Sequence, residues 1–107
     1  MDKEKFYQEV YDIVKEIPYG RVMTYGQIAN LIGMPKHSRM VGKSLHKVSD
    51  ELNLPCHRVV NSKGRLVPFW QEQVYLLKKE GVEFTKKGYV DMKKYLWQLE
   101  SINFSDD

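Results

Sequence analysis

Phe6, Val10, Ile13, Val14 and Ile17 recur at spacings of three and four, with mostly polar residues between them. That period is the apolar stripe of an amphipathic helix, expected over residues 2–17. Pro18-Tyr19-Gly20 ends it, since proline lacks a backbone donor and glycine accepts a left-handed terminus. Arg21-Val22-Met23 reads as a short, extended connection. Thr24, with Gln27 three residues later, has the pattern of a capping box. The helix it opens over residues 25–32 closes on Gly33. Residues 34–37 form a turn, and Ser38 is expected to cap a second helix over residues 39–48.

Residues 50–55 show no period and lead into Cys56 and His57. Arg58-Val59-Val60 reads as a strand, residues 61–64 as a turn, and residues 65–67 as a second short strand. Val74, Leu76, Leu77 and Glu80 predict a long helix over residues 70–80, ending at Gly81. Val82-Glu83-Phe84 alternates, Lys86-Lys87-Gly88 turns, and a final short helix is expected over residues 91–97. Residues 98–107 are expected to fray. The elements sum to a mainly α fold with a short two-stranded β element, a winged helix-turn-helix-like single domain over residues 1–97.

Composition narrows this little. A chain of 107 residues, 42% hydrophobic and 29% charged, has the make-up of one soluble globular domain. No apolar run approaches the roughly 20 residues that span a bilayer, and residues 1–5 lack a secretory apolar segment. No membrane partner is expected. A single cysteine cannot close an intramolecular disulfide, which suggests the reducing cytoplasm.

Charge distribution says more. Residues 21–68 carry eight Lys/Arg against two acids, whereas the flanking segments are slightly acidic. A basic middle third is an electrostatic footprint for phosphate. The same stretch holds the helix pair. Ala29 and Gly33 have the spacing of a helix-turn-helix, the turn being about two residues longer than the tightest form. The second helix offers Ser38, Arg39, Gly42, Lys43 and Ser44 near its start, small and basic residues suited to a duplex. An ordinary helical hairpin is the plainer alternative, and the charge favours DNA.

Cys56 lies in Leu54-Pro55-Cys56-His57-Arg58-Val59-Val60. Imidazole and guanidinium are groups that shift a thiol toward thiolate. A buried cysteine acting as a small hydrophobe is the alternative, and on this heptapeptide the two weigh equally. His37 and His46 are expected at solvated helix ends. With Cys56 and His57 they form no zinc spacing, so no metal or other cofactor is indicated.

Tyr25-Gly26-Gln27-Ile28-Ala29, Ser38-Arg39-Met40-Val41-Gly42, Pro55-Cys56-His57-Arg58-Val59-Val60 and Leu76-Leu77-Lys78-Lys79-Glu80-Gly81 together resemble the DNA-binding, active-site domain of the O6-alkylguanine-DNA alkyltransferases. The resemblance implies double-stranded DNA containing O6-alkylguanine as partner, entered from the minor groove by a monomer. It implies Cys56 as alkyl acceptor and His57 as base acting through a water, oriented by Glu80. Tyr25 would rotate the 3′ phosphate and protonate the leaving base, and Arg39 would fill the stack vacated by the flipped guanine. Ser38, Gly42, Lys43 and Arg58 complete the expected DNA contacts.

Three departures from that pattern stand out. The amino-terminal domain that many members carry is not expected here, nor any metal site within it. Val48 occupies the position, nine residues after Arg39, where the family has a hinge asparagine; Asn53 is a candidate spatial replacement. Residues 64–72 replace a Tyr-Ser-Gly-Gly-like lesion loop with a segment about three residues shorter, in which Phe69 and Trp70 are candidates to stack on a base or to pack into the core. The tail, Gly81-Val82-Glu83-Phe84 through Tyr95-Leu96-Trp97, is similar to the alkyltransferase-like proteins, which bind the lesion without transfer and flag it for nucleotide excision repair. The leading expectation is irreversible alkyl transfer to Cys56. The alternative is a non-enzymatic lesion sensor that recruits excision repair proteins, and a third reading is a winged-helix regulator.

Overall fold

Asp2 Oδ1 accepts the Lys5 N–H at 3.2 Å and starts α1, Lys3–Val14. The computed structural model describes residues 2–48 and 50–98, so the expected fraying of the tail lies, from residue 99 on, outside the described residues. α1 turns Phe6, Val10 and Val14 inward, and Ile17 extends that stripe beyond its end. β1 (Met23–Thr24) leads directly into α2 (Tyr25–Ile32). There the expected capping box is formed: Thr24 Oγ1 accepts the Gln27 N–H and Gln27 Oε1 accepts the Thr24 N–H, both at 3.0 Å. α2 closes on Gly33 at φ +88°, with the Met34 N–H returning to Ala29 O at 2.9 Å.

α3 (Ser38–His46) differs at its start from expectation. His37 is the N-cap, its carbonyl accepting from Met40 and Val41, and Ser38 is already the first helical residue. The His37 ring is half-buried, 6.2 Å from the Phe6 ring, so it packs rather than standing in solvent. His46 is exposed as expected. Two 3₁₀ turns follow, Asp50–Leu52 and Cys56–Arg58, and the second feeds β2, Val59–Val60.

The two-stranded element is present but pairs differently from the expected hairpin. β1 and β2 are parallel, with Met23 opposite Val59 and Thr24 opposite Val60. Residues 65–67 form no strand, because side chains claim their backbone groups. Asn61 Oδ1 accepts from Lys63 N–H at 2.9 Å and Arg65 N–H at 2.8 Å, and Gln73 Oε1 accepts from Val67 N–H at 2.7 Å. Arg58, expected in the strand, belongs to the 3₁₀ turn before it.

Strand alternation then divides the core. Met23 and Val59 join Phe6, Val10, Ile28 and Val41 beneath α1–α3. Val22 and Val60 join Leu77, Val82 and Val90 on the other face. α4 (Glu72–Lys79) supplies Leu77, and its end repeats the α2 closure: Gly81 has φ +88° and the Val82 N–H reaches Leu77 O at 3.0 Å. The expected turn before Gly88 is a small hairpin, Phe84 bridging Val90. α5 (Met92–Tyr95) is shorter than expected, since Leu96 and Trp97 extend along Val22, the Trp97 N–H reaching Val22 O at 2.8 Å.

Candidate functional site

The α4 closure leaves Glu80 as the last residue before Gly81, and its carboxylate becomes a hub. His57 Nε2 lies 2.7 Å from Oε2, the Gly20 N–H donates to Oε1 at 2.7 Å, and Arg58 donates through Nε and Nη2 at 2.8–3.1 Å. Burial alone pushes the Glu80 carboxyl up, but hydrogen bonds from Arg58, His57 and Gly20 and the Arg58 charge together hold it below its ordinary value. The Glu80 side chain is only 6% exposed, so this pair sits in little water.

Arg58 is committed to this hub. Besides Glu80 it donates from Nη1 to Ile17 O at 2.8 Å, and its guanidinium lies 5.6 Å from the centre of the Tyr19 ring. It therefore ties α4 to the segment after α1, and its charge is neutralised by Glu80 rather than directed at the thiol.

Cys56 opens the 3₁₀ turn behind Pro55 and is half-buried. Its N–H donates to Leu54 O at 2.8 Å. Burial raises the thiol above its ordinary value, with a smaller opposing pull from its own backbone N–H. Tyr25 is close enough to share this electrostatics: burial and then the Cys56 charge raise its hydroxyl. Tyr11 responds similarly, through burial, Tyr7 and Cys56, while its hydroxyl donates to Ser44 O at 2.9 Å. Tyr11 carried no sequence signal for the site, being one more residue of an amphipathic helix.

Tyr25 also faces α3. It lines a shallow hollow of about 260 Å³ with Ser38, Arg39 and Gly42. A Cβ built on Gly42 would lie 3.9 Å from Tyr25 Cε1, an ordinary contact, so the ring lies against this face of the helix. Arg39 and Lys43 are exposed beside it. The structure thus brings Tyr25, Ser38, Arg39 and Gly42 together, and His57, Arg58 and Glu80 together, with Cys56 at the head of the same 3₁₀ turn and electrostatically linked to Tyr25. Among the described residues, no group of three or more His, Cys, Asp and Glu converges as a metal site.

Residues 5–82 match the family model for the 6-O-methylguanine DNA methyltransferase, DNA binding domain. The chain belongs to this family. It is 39% identical to alkyltransferase-like protein 1 of Schizosaccharomyces pombe, over 92% of this chain and 99% of that protein. It is 42% identical to the DNA base-flipping protein of Escherichia coli, over 91% of this chain and 78% of that one. In structure it is similar to S. pombe Atl1 in complex with damaged DNA containing O6-carboxymethylguanine, with TM-score 0.81, 40% identity, and coverage of 92% and 99%.

The loop and hinge positions singled out by the sequence are placed as follows. Gln73, on α4, has no exposed surface. Its Nε2 donates to His57 O and Val59 O at 3.1 Å each, while Oε1 holds the Val67 N–H. One amide thus joins the Cys56 turn, β2 and the root of the loop that holds Phe69. Sequence reading missed it, because a glutamine in a helix normally reads as surface. Phe69 is fully exposed, which removes the core-packing alternative for it, whereas Trp70 is half-buried. Asn53 is exposed at φ +51°, a conformation asparagine tolerates, and Val48 is half-buried.

Proposed function

We propose that this protein binds duplex DNA through α3, extrudes O6-alkylguanine toward Cys56 and holds it there as a lesion sensor. In this reading Arg39 fills the vacated stack, Tyr25 steers the phosphate beside the flipped nucleotide, and Lys43 and Ser38 meet the backbone. Flipping is required because the alkylated oxygen is unreachable within a stacked duplex. The observation that carries the proposal is the double membership of Tyr25, in the α3 hollow and in the electrostatic neighbourhood of Cys56. A sensor is favoured over a transferase because burial pushes the thiol above its ordinary value and Arg58 is paired with Glu80. The held lesion then serves as a signal for nucleotide excision repair proteins.

The 2.7 Å contact between His57 and Glu80 favours a second reading, transfer. There the thiol proton passes through a water to His57, and sulfur forms a bond to the alkyl carbon as the carbon–O6 bond breaks. The bonding pair returns to the guanine, which takes a proton from Tyr25. The test is the intact mass of the protein after incubation with an oligonucleotide containing O6-methylguanine. Tight binding with unchanged mass supports the sensor. A gain of one methyl group that disappears in Cys56→Ala establishes transfer instead.

A further inference from the structure

A groove of about 530 Å³ lies between α4 and the hairpin that follows it. Val74, Val82 and Phe84 give it an apolar lining, while Lys78 enters from the helix and Lys86 from the hairpin. Tyr75, an aromatic side chain left 62% exposed, stands one turn before Lys78 on the same helix. Backbone bonds fix both walls. The Val82 N–H reaches Leu77 O at 3.0 Å, the Thr85 N–H reaches Tyr89 O at 2.7 Å, and the Asp91 N–H reaches Glu83 O at 3.0 Å. A preformed cleft with an apolar lining and a charged rim is the anatomy of an interaction site.

Charge decides what it accepts. Glu83 also lines the groove, but Lys94 Nζ holds that carboxylate at 3.0 Å. Lys78 and Lys86 have no such carboxylate partner among the described residues. Lys78 Nζ lies 5.9 Å from the centre of the Phe84 ring instead. Lys79 and Lys87, the next residue in each case, are exposed as well. The groove is therefore apolar within and positive at its edges, which complements an acidic segment carrying a bulky apolar side chain. Duplex DNA would satisfy the lysines but leave the apolar lining without a partner.

The two-stranded sheet separates this groove from α3. Val82 and Phe84 pack with Val22 and Val60 on one face, whereas Val41 of α3 packs with Met23 and Val59 on the other. None of the groove's lining residues belongs to the hollow of Tyr25 and Arg39. A molecule seated here leaves the α3 surface open.

We propose that this groove docks an acidic peptide segment of a partner protein, its apolar side chain against Val74 and Phe84 and its carboxylates on Lys78 and Lys86. The docking stands apart from the lesion-binding reading, because no residue of the Cys56 turn or of α3 lines the groove.

The probe is a set of fluorescein-labelled acidic peptides in which a leucine–phenylalanine pair moves through a run of glutamates and aspartates. Binding to the full chain is read by anisotropy and by amide chemical shifts, with an undamaged duplex titrated in parallel. The tightest peptide should bind about tenfold better than a counterpart with lysines for its acids or glycines for its apolar pair. Shifts should concentrate at Val74, Phe84 and Lys86. The exposed double variant Lys78→Glu, Lys86→Glu should lose about tenfold in peptide affinity and keep its duplex affinity within about twofold. Absence of peptide binding, or binding that the double variant leaves intact, overturns the proposal. A fall in duplex affinity with peptide affinity unchanged overturns it in favour of a DNA surface. Groove shifts that follow protein concentration and ignore the peptides overturn it in favour of a second copy of this chain.

Discussion

Glu80 Oε2 meets His57 Nε2 at 2.7 Å across 23 residues of chain. The bond uses one ring nitrogen and leaves Nδ1 as the imidazole nitrogen able to serve the thiol side. The same carboxylate neutralises Arg58, so the orientation of His57 and the anchoring of Arg58 share one group. A carboxylate in that position cannot be altered for one role without disturbing the other.

Replacing Glu80 with glutamine keeps the shape and removes the charge. Arg58 is 15% exposed and would lose its counter-ion in a largely desolvated setting. Breaking one partner of such a pair costs about 3 kcal/mol. Urea unfolding of Glu80→Gln should show that loss, and an unchanged midpoint would remove the hub from the stability argument.

The same carboxylate sets a pH dependence. Its folded-state pKa is lowered from 4.5, so the unfolded chain binds the proton more readily. The stabilisation is therefore fully present above the unfolded value and is lost as pH falls through the lowered folded value. Acid titration of stability should show this decline below pH 4.5. In Glu80→Gln that component should be absent, and identical acid profiles would refute the linkage.

How much of this was readable beforehand depends on the range of the interaction. The Thr24–Gln27 capping box and the Gly33 and Gly81 closures are local, so residue identity and spacing sufficed. The register of Tyr25, Arg39, Cys56 and Glu80 was readable only as a family pattern. The parallel pairing of Met23–Thr24 with Val59–Val60 was not readable, because two-residue strands leave no period. Gln73 was hidden because its partners, His57, Val59 and Val67, are backbone groups that any residue supplies. Arg58 read as a DNA contact because a guanidinium in a basic segment carries no mark of an internal carboxylate partner.

Gln73→Met preserves volume and removes every one of the amide's hydrogen bonds. Val67 N–H loses its partner, and His57 O and Val59 O lose this donor. Stranding buried backbone groups should destabilise the fold by about 3 kcal/mol in thermal or urea unfolding. Hydrogen exchange should rise first at Val67, since its protection depends on this side chain. Unaltered exchange there would show that the loop root is held by something else.

The thiol can be interrogated without DNA. Burial raises the Cys56 pKa above 9.0, so iodoacetamide labelling should climb with a midpoint above that value. A midpoint near neutrality would reveal a stabilised thiolate and move the balance toward alkyl transfer.

Arg39 and Lys43 are both exposed on α3, yet the proposed roles differ, and salt separates them. A side chain bound to a phosphate releases a counterion, so Lys43→Ala should lower the slope of log affinity against log salt by about one. Arg39 is assigned to the base stack, where its loss leaves the slope largely unchanged and impairs extrusion. A fluorescent base analogue opposite the lesion should therefore brighten on binding the parent chain and Lys43→Ala, and remain dim with Arg39→Ala at saturating protein. Should Arg39→Ala lower the slope by about one while leaving the fluorescence intact, Arg39 is a phosphate contact and another residue must hold the flipped state.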